Sequence, residues 1–299
     1  MLPYSHSPKR VLHSQPSQSI HSFNDETDTN LDSRTIRAFG AEWRKFHGFN
    51  DIDLTSIGND YFDLVNINQL RDCIVLDVGC GSGRWAKYLS PHVKYLEAID
   101  PSDAVLTASQ YLQDCPNVRV TQASVDHIPF SDNSFDFIYS LGVFHHVPDT
   151  ARAIKICFEK LKGNGCILLY LYYNFENRGF LFKTAFFISD LLRKVISKLP
   201  RRLKYVVCNM IAVVIYWPLS NLGLLISLFS ESYASRLPLS YYRKTTFHIM
   251  RNDSLDRFGT PLEKRFSKDA IKEMLSVAGF HDILFSDYEP YWHVIARKP

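Results

Sequence analysis

The chain is poor in paired cysteines and in net charge. Its six cysteines, Cys73, Cys80, Cys115, Cys157, Cys166 and Cys208, form no CxxC pair and no metal-ligand spacing. A metal centre is therefore not expected. Several of the six sit in apolar runs, as small reduced core residues of a cytosolic protein do. The formal charge is only +3 over 299 residues, too small by itself to point to nucleic acid. The N-terminus lacks an apolar h-region, so no secretory signal is expected and a cytoplasmic location is. Two local absences stand out. No acid lies among Arg193, Lys194, Lys198, Arg201, Arg202 and Lys204, and no charge of either sign lies between Tyr205 and Ser230.

What is present is ordinary globular material, 46% hydrophobic and 22% charged. The length suits one large α/β domain with insertions, or two small domains. Residues 1–33 are polar, without periodicity, and are expected to be disordered. Phe39, Trp43 and Phe46 share a helical face, which packs on the main domain or serves as a lid. Between Asp72 and Tyr173, strand patterns at 75–78, 95–99, 118–123, 135–140 and 166–171 alternate with helical ones. Short connections of this kind imply a parallel, doubly wound sheet. The pattern returns near the end, where Ser267 N-caps a helix that stops at Gly279. Residues 283–286 and 293–296 then suit an antiparallel hairpin at the sheet edge. Residues 34–299 thus form one domain with a helical cap inserted at 174–250.

The uncharged stretch at 205–230 is long enough to cross a bilayer. Asn209, the Trp217-Pro218 step, Asn221 and Gly223 interrupt it. A single crossing would also leave the last strands on the wrong side of the membrane to complete the sheet. The expectation is a buried helical cap or, failing that, one whose apolar and basic faces, within 180–230, touch a membrane surface.

The chemistry is concentrated in CIVLDVGCGSGR, residues 73–84. Asp77, Gly79, Cys80, Gly81 and Gly83 make a D-x-G-x-G-x-G pattern at a strand end. The dinucleotide fingerprint G-x-G-x-x-G would need glycine where Arg84 stands. An acid before such a turn can instead receive the ammonium of an amino-acid-bearing cofactor. Asp100 ends the second strand, 23 positions after Asp77. Its carboxylate can accept from both hydroxyls of a ribose, or it can build a helix cap with Ser102 and Asp103.

At this point the chain resembles the class I S-adenosylmethionine-dependent methyltransferases, in particular the type 11 methyltransferase domain of the small-molecule and lipid branch. The resemblance is carried by VLDVGCGSG (75–83), EAID (97–100), DHIPFSDNSFDFIYSLGVFHHVPD (126–149) and LKGNGCILLY (161–170). It covers residues 73–173 and, more weakly, 255–297. It implies a Rossmann-like methyltransferase fold: an α/β, doubly wound, seven-stranded sheet with an antiparallel last strand. S-adenosylmethionine would lie across the carboxyl ends of its first, second and fourth strands. By the same resemblance Gly79 and Gly81, in the turn with Cys80 and Gly83, line the methionine part. Asp77 holds its amino group, Asp100 holds the ribose, and Pro101 borders the adenine with Val125. Ser124 stands where the family often carries an acid facing the adenine amino group; Asp126 is the candidate to compensate. Leu141 borders the methyl end. His145, followed by His146, is the candidate general base.

The function this implies is methyl transfer to a small-molecule or lipid-like acceptor, with no nucleic acid partner. The rivals are a non-catalytic cofactor-binding module of the same fold and, against the turn spacing, a nicotinamide oxidoreductase. Acceptor recognition is expected in the cap, through its aromatics from Tyr172 to Trp217. The stretch 251–265 and Tyr241, Tyr242, Arg243 and His248 are expected nearby.

Overall fold

The structure, a computed structural model, describes residues 1–14, 18–25, 27–43, 51–176, 179–235, 237–288 and 291–299, with a few side chains within them undescribed. Among the described residues, nine strands pair into one sheet: β1 (Arg10–Ser14), β2 (Gln18–Ser22), β3 (Ile74–Val78), β4 (Tyr95–Asp100), β5 (Val118–Gln122), β6 (Phe135–Leu141), β7 (Leu161–Tyr170), β8 (His281–Phe285) and β9 (His293–Arg297). Their order is β1-β2-β5-β4-β3-β6-β7-β9-β8. β3 to β7 run parallel, and β9 lies antiparallel between β7 and β8. The doubly wound sheet and its closing hairpin are as the sequence implies. The last strand enters the sheet, however, and leaves β8 at the edge. The turn expected to hold Glu289 and Pro290 lies outside the described residues.

Period-two alternation decides which core each strand residue joins. Leu76, Val78, Ile138, Ile167 and Leu169 pack on one face of the sheet. Val75, Phe137, Tyr139 and Leu168 pack on the other. Both faces are covered, so the parallel strands read as near-continuous apolar runs. The strand order reverses at β3, which has β4 on one side and β6 on the other. A crevice forms outside the carboxyl ends at such a point.

The N-terminal segment corrects an expectation. Much of residues 1–33 is ordered on the sheet rather than disordered. β1 and β2 make an antiparallel hairpin, and β2 adds parallel to β5 through Ser22 opposite Gln122. The sheet therefore has nine strands, the expected seven plus these two. Few apolar residues are needed, because the edge of β5 offers unpaired backbone groups. Ile20 and Phe23 are buried, and the Tyr4 ring stacks on Phe130 at 5.6 Å. Arg119 lies over Tyr4, 4.2 Å from the ring centre. A helix follows at Ser33–Trp43. Phe39 packs on His146 at 4.8 Å; the Trp43 side chain and Phe46 lie outside the described residues.

The helix Lys268–Ala278 begins as its sequence predicts, with Ser267 Oγ accepting from the Ala270 N–H at 3.1 Å. It ends at Gly279, with φ of 107°.

The chain divides into two compact units, residues 1–176 with 262–299, and residues 177–261. The second is helical, with long elements at Phe180–Ile196, Arg201–Ile211, Trp217–Ser227 and Phe247–Gly259. A π-helical turn, Ala212–Tyr216, joins the middle two. Its core is small: Ile196, Cys208, Tyr216, Met250 and Phe258. The expected insertion ended at residue 250, but the helix Phe247–Gly259 belongs to this unit. Arg193 Nη1 donates to the carbonyls of Thr260 (3.0 Å) and Pro261 (2.9 Å). Ser254 Oγ donates to the Cys208 carbonyl at 2.9 Å.

Candidate functional site

The β3 turn is shaped by its glycines. Gly79, Gly81 and Gly83 have φ of 84°, 53° and 85°, in the left-handed region that side chains rarely enter. A Cβ on Gly79 would sit 2.5 Å from Val143 Cγ2, and one on Gly83 would sit 2.7 Å from Leu112 Cδ1. The N–H groups of Gly79 and Cys80 both donate to the Ile99 carbonyl, at 2.8 and 2.9 Å, which ties the turn to the end of β4. The Gly81 N–H donates to Asp100 Oδ2 at 3.0 Å.

Asp100 is thus part of the turn's frame. Its Oδ1 accepts from Ser102, from the N–H at 2.8 Å and from Oγ at 2.6 Å. The cap arrangement weighed from the sequence is present through Ser102. Burial raises the Asp100 pKa against the pull of these bonds. The Cys80 thiol is buried, and its pKa is pushed well up by burial and by Asp100 and Asp77. It shapes the turn without nucleophilic character.

Asp77 lies on β3 opposite Tyr139 of β6 and is only 1% exposed. Its Oδ2 has no hydrogen-bond partner. Burial, against the Tyr139 hydroxyl, lifts its pKa to about 8. A buried carboxyl with a free oxygen is costly unless a partner arrives. Its position one residue before the turn makes that partner a cation or a donor.

Beside the turn lies a narrow cavity of about 30 Å³, lined by Val78, Gly79, Pro101, Ala123, Val125 and Val143 among others. Gly79, Pro101 and Val125 are therefore brought together as the sequence implied. Leu141 is not part of this wall; it packs with Phe137 and Tyr139 on the other face of the sheet. Asp126 is not on this wall either. It is engaged by Arg152 at 2.8 Å and by Asn30 Nδ2 at 3.1 Å, so it does not compensate for Ser124.

Asp28 stands there instead. Ser124 Oγ donates to Asp28 Oδ2, and the Asp28 side chain is fully buried. The segment around it is fastened at two further loops. Asn24 Nδ2 donates to the Pro101 carbonyl at 2.7 Å. Asn30 Nδ2 donates to the Asp149 carbonyl at 3.1 Å, and Asn30 Oδ1 accepts from the Asp149 N–H at 2.6 Å. Leu31 completes the cavity wall. None of this was legible from a segment read as disordered.

His145 is fully buried. It stacks on Tyr172 with ring centres 3.7 Å apart and lies 4.1 Å from His146. Neither ring nitrogen has a hydrogen-bond partner. Burial, and after it the charges of His146 and Arg265, hold its pKa well below 6.5. An imidazole so reluctant to protonate is a weak general base, which counts against the catalytic role assigned from the sequence. A second such imidazole was missed. His293, at the start of β9, is buried with both nitrogens unpartnered, and burial lowers its pKa to about 4. Its ring lies 4.9 Å from both Tyr61 and Tyr170. The two histidines and Tyr61, Tyr170 and Tyr172 form one aromatic cluster beyond the carboxyl ends of β6 and β7. Of the other expected acceptor contacts, Tyr216 and Tyr242 pair at 5.1 Å within the helical unit, and Tyr216 is in its core. The side chains of Tyr241 and His248 lie outside the described residues.

The strand order, the crevice at β3 and the glycine turn followed by an acid at the end of β4 define a Rossmann-like methyltransferase fold. Residues 76–169 match the methyltransferase domain family. An uncharacterized methyltransferase, YcgJ, of Bacillus subtilis is 35% identical over 102 residues, covering 33% of this chain and 40% of that protein. A tRNA U34 carboxymethyltransferase of Aliarcobacter butzleri is 31% identical over 134 residues, covering 42% and 44%. The chain thus spans under half the length of these relatives. Over most of the chain, the fold recurs in a possible exported protein from Bordetella parapertussis, at 14% identity and a TM-score of 0.50, covering 89% of this chain and 81% of that one. The matched segment has the fold and the glycine turn of a methyltransferase domain; a probable S-adenosylmethionine-dependent methyltransferase of Mycobacterium tuberculosis, 30% identical over 97 residues and covering 32% of this chain and 34% of that protein, is named for that cofactor. The comparisons do not carry the expectation that nucleic acid is excluded, since one relative is named for tRNA.

The residues present fit that cofactor. Asp77 offers a buried, unpartnered carboxyl oxygen to an ammonium. Gly79 leaves a cradle that a Cβ would fill. Pro101 and Val125 supply apolar walls suited to a purine.

Proposed function

We propose that the chain transfers the methyl group of S-adenosylmethionine to a small, largely apolar acceptor. The observation that carries this is Asp77 Oδ2, buried without a partner behind the glycine turn. When bound, the cofactor supplies a sulfonium-activated methyl group. Asp77 gives its carboxylate to the ammonium. Asp100, held by Gly81 and Ser102, presents the remaining lone pair of Oδ2 to the ribose. Asp28, beside Ser124, restores the negative charge that Ser124 lacks. The aromatic cluster excludes water and aligns the acceptor; such positioning can contribute up to roughly 7–11 kcal/mol. His145 and His293, neutral and with free nitrogens, orient the acceptor by hydrogen bonding rather than by taking a full proton.

Charge favours a small acceptor over RNA. Outside residues 177–261 the chain carries 21 Lys and Arg against 27 Asp and Glu, a net −6. A polyanion is repelled by such a surface. Two measurements test the reading. Calorimetric titration should show S-adenosylmethionine binding to the whole chain, and no heat would sink the proposal. Incubation with labelled cofactor and separate small-molecule, lipid and RNA extracts should then put label on a small molecule or lipid. Label only on RNA would move the acceptor class. Cofactor binding without any labelled product would favour a non-catalytic module.

A further inference from the structure

The helical unit wears its apolar residues on the outside. In the helix Phe180–Ile196 the exposed large side chains are Phe180, Phe187, Ile188, Leu191, Leu192 and Val195. Most of them fall three, four or seven apart, on one stripe. Its buried residues include Arg193, paired with Asp190 at 2.8 Å. The next helical stretch, Arg202–Ser227 with its π turn, repeats the arrangement. Leu203, Val206, Met210, Val214, Trp217 and Leu225 are exposed along one face. Cys208, Ala212, Tyr216, Ser220 and Gly223, small or polar for the most part, face in. A water-soluble helix does the reverse. The stripe continues to Leu228 and to Phe229, which is 91% exposed.

Charge says what covers this face. Residues 177–261 hold thirteen Lys and Arg and four Asp and Glu, a net +9, in a chain whose remainder is −6. Lys194, Lys198 and Arg202 are exposed where the two long helices meet. Lys194 reaches Asp190 at 3.0 Å, while Arg193 is spent inside the unit. Apolar stripes bounded by exposed cations match the two layers of an anionic bilayer surface, acyl chains below and phosphates above.

A single span is excluded by topology. Arg202–Ser227 is the one stretch among the described residues long and apolar enough to cross. Yet β7 before the insertion and β9 after it pair in the same sheet, Leu168 opposite Ile295. One crossing would separate them. We infer that the helices of residues 180–228 lie in the surface of an anionic membrane, and so bring the methyltransferase domain to the lipid phase where apolar molecules collect.

The test is co-sedimentation of the full chain with two vesicle types, phosphatidylcholine alone and phosphatidylcholine with roughly 30% phosphatidylglycerol. Strong binding to the anionic vesicles, weak binding to the neutral ones, and release by salt are expected. The double variant Val214→Glu/Leu225→Glu should lose binding. Lys198→Glu/Arg202→Glu should weaken it by about 25-fold or more, since each cation near such a surface is worth roughly fivefold. All four positions are exposed, so circular dichroism should show the fold kept. Absence of sedimentation with either vesicle, or binding that ignores both variants, overturns the inference. So does a dimer, seen by analytical ultracentrifugation, that the Val214→Glu/Leu225→Glu variant disperses while vesicles are not bound. Cofactor titration on the same samples keeps this inference separate from the enzymatic proposal, because either can fail alone.

Discussion

The two units of this chain bury opposite kinds of residue. In the sheet unit, apolar strands are covered on both faces, and the buried polar groups, Asp77, Asp100, His145 and His293, gather at the carboxyl edge. In the helical unit, the fully buried core among the described residues is Ile196, Cys208, Tyr216, Met250 and Phe258, while many large apolar residues point out. Among the exposed large apolar side chains of the described residues, twenty-one lie in 177–261 and six elsewhere. The first unit places polar groups inside, where a ligand can satisfy them. The second places apolar groups outside, where another phase can. In each case a local penalty in the free protein marks where the proposed partner would bind.

The sharpest way to break this comparison is to truncate one leucine in each unit. Leu76→Ala, in the sheet core, should destabilise the protein by about 2–5 kcal/mol in urea denaturation. Leu225→Ala, on the exposed helical face, should stay within about 0.5 kcal/mol. Comparable losses would mean that the outer face is buried in the free protein.

Next come the acids of the turn. Asp100→Ala should weaken S-adenosylmethionine binding by ~10–100-fold in calorimetry, since a charged hydrogen bond is worth about 1.5–3 kcal/mol. Asp77→Asn should weaken it by a similar factor while raising the melting temperature of the free protein. A loss of affinity together with a loss of stability would make Asp77 a structural residue.

The pH dependence separates Asp77 from the histidines. Its folded pKa of about 8 lies above the unfolded 3.8, so the folded state holds the extra proton. Its contribution to stability is complete below about pH 4 and falls as pH rises to about 8. His293, lowered from 6.5 to about 4, works the other way, and its slope ends near 6.5. Between about 6.5 and 8 the stability of the cofactor-free protein should therefore fall, and Asp77→Asn should remove that slope in thermal melts. The smallest effect is expected from Asp28→Ala, a loss of affinity of about fivefold, roughly 1 kcal/mol. No change would leave Asp28 a structural anchor for Ser124.

How much was legible follows from sequence distance. Asp77, the three glycines and Asp100 fall within 24 residues, and strand, turn and strand are local patterns. The fold class and the glycine turn with its acids were readable for that reason. Asp28 reaches Ser124 across 96 positions. His293 joins Tyr170 only because β9 pairs antiparallel with β7. No local pattern announces either. The N-terminal hairpin was unreadable because its stability comes from the edge of β5, not from its own composition.

The insertion shows the same division. Its sequence determined that the helices would form, that they would carry apolar stripes and that cations would cluster between them. It could not say which side of each helix faces in. A period of 3.6 residues fixes the angular width of a stripe, not its direction. Direction depends on what packs against the helix, and here Ile196, Tyr216, a few small residues and the ion pair of Arg193 with Asp190 took the inside. The glycine turn was determined by its own residues, because φ above zero and a close approach to Val143 leave room for no other side chain. The acid beside Ser124 and the outward face of residues 180–228 were decided only by the tertiary structure, since burial belongs to pairs of distant segments.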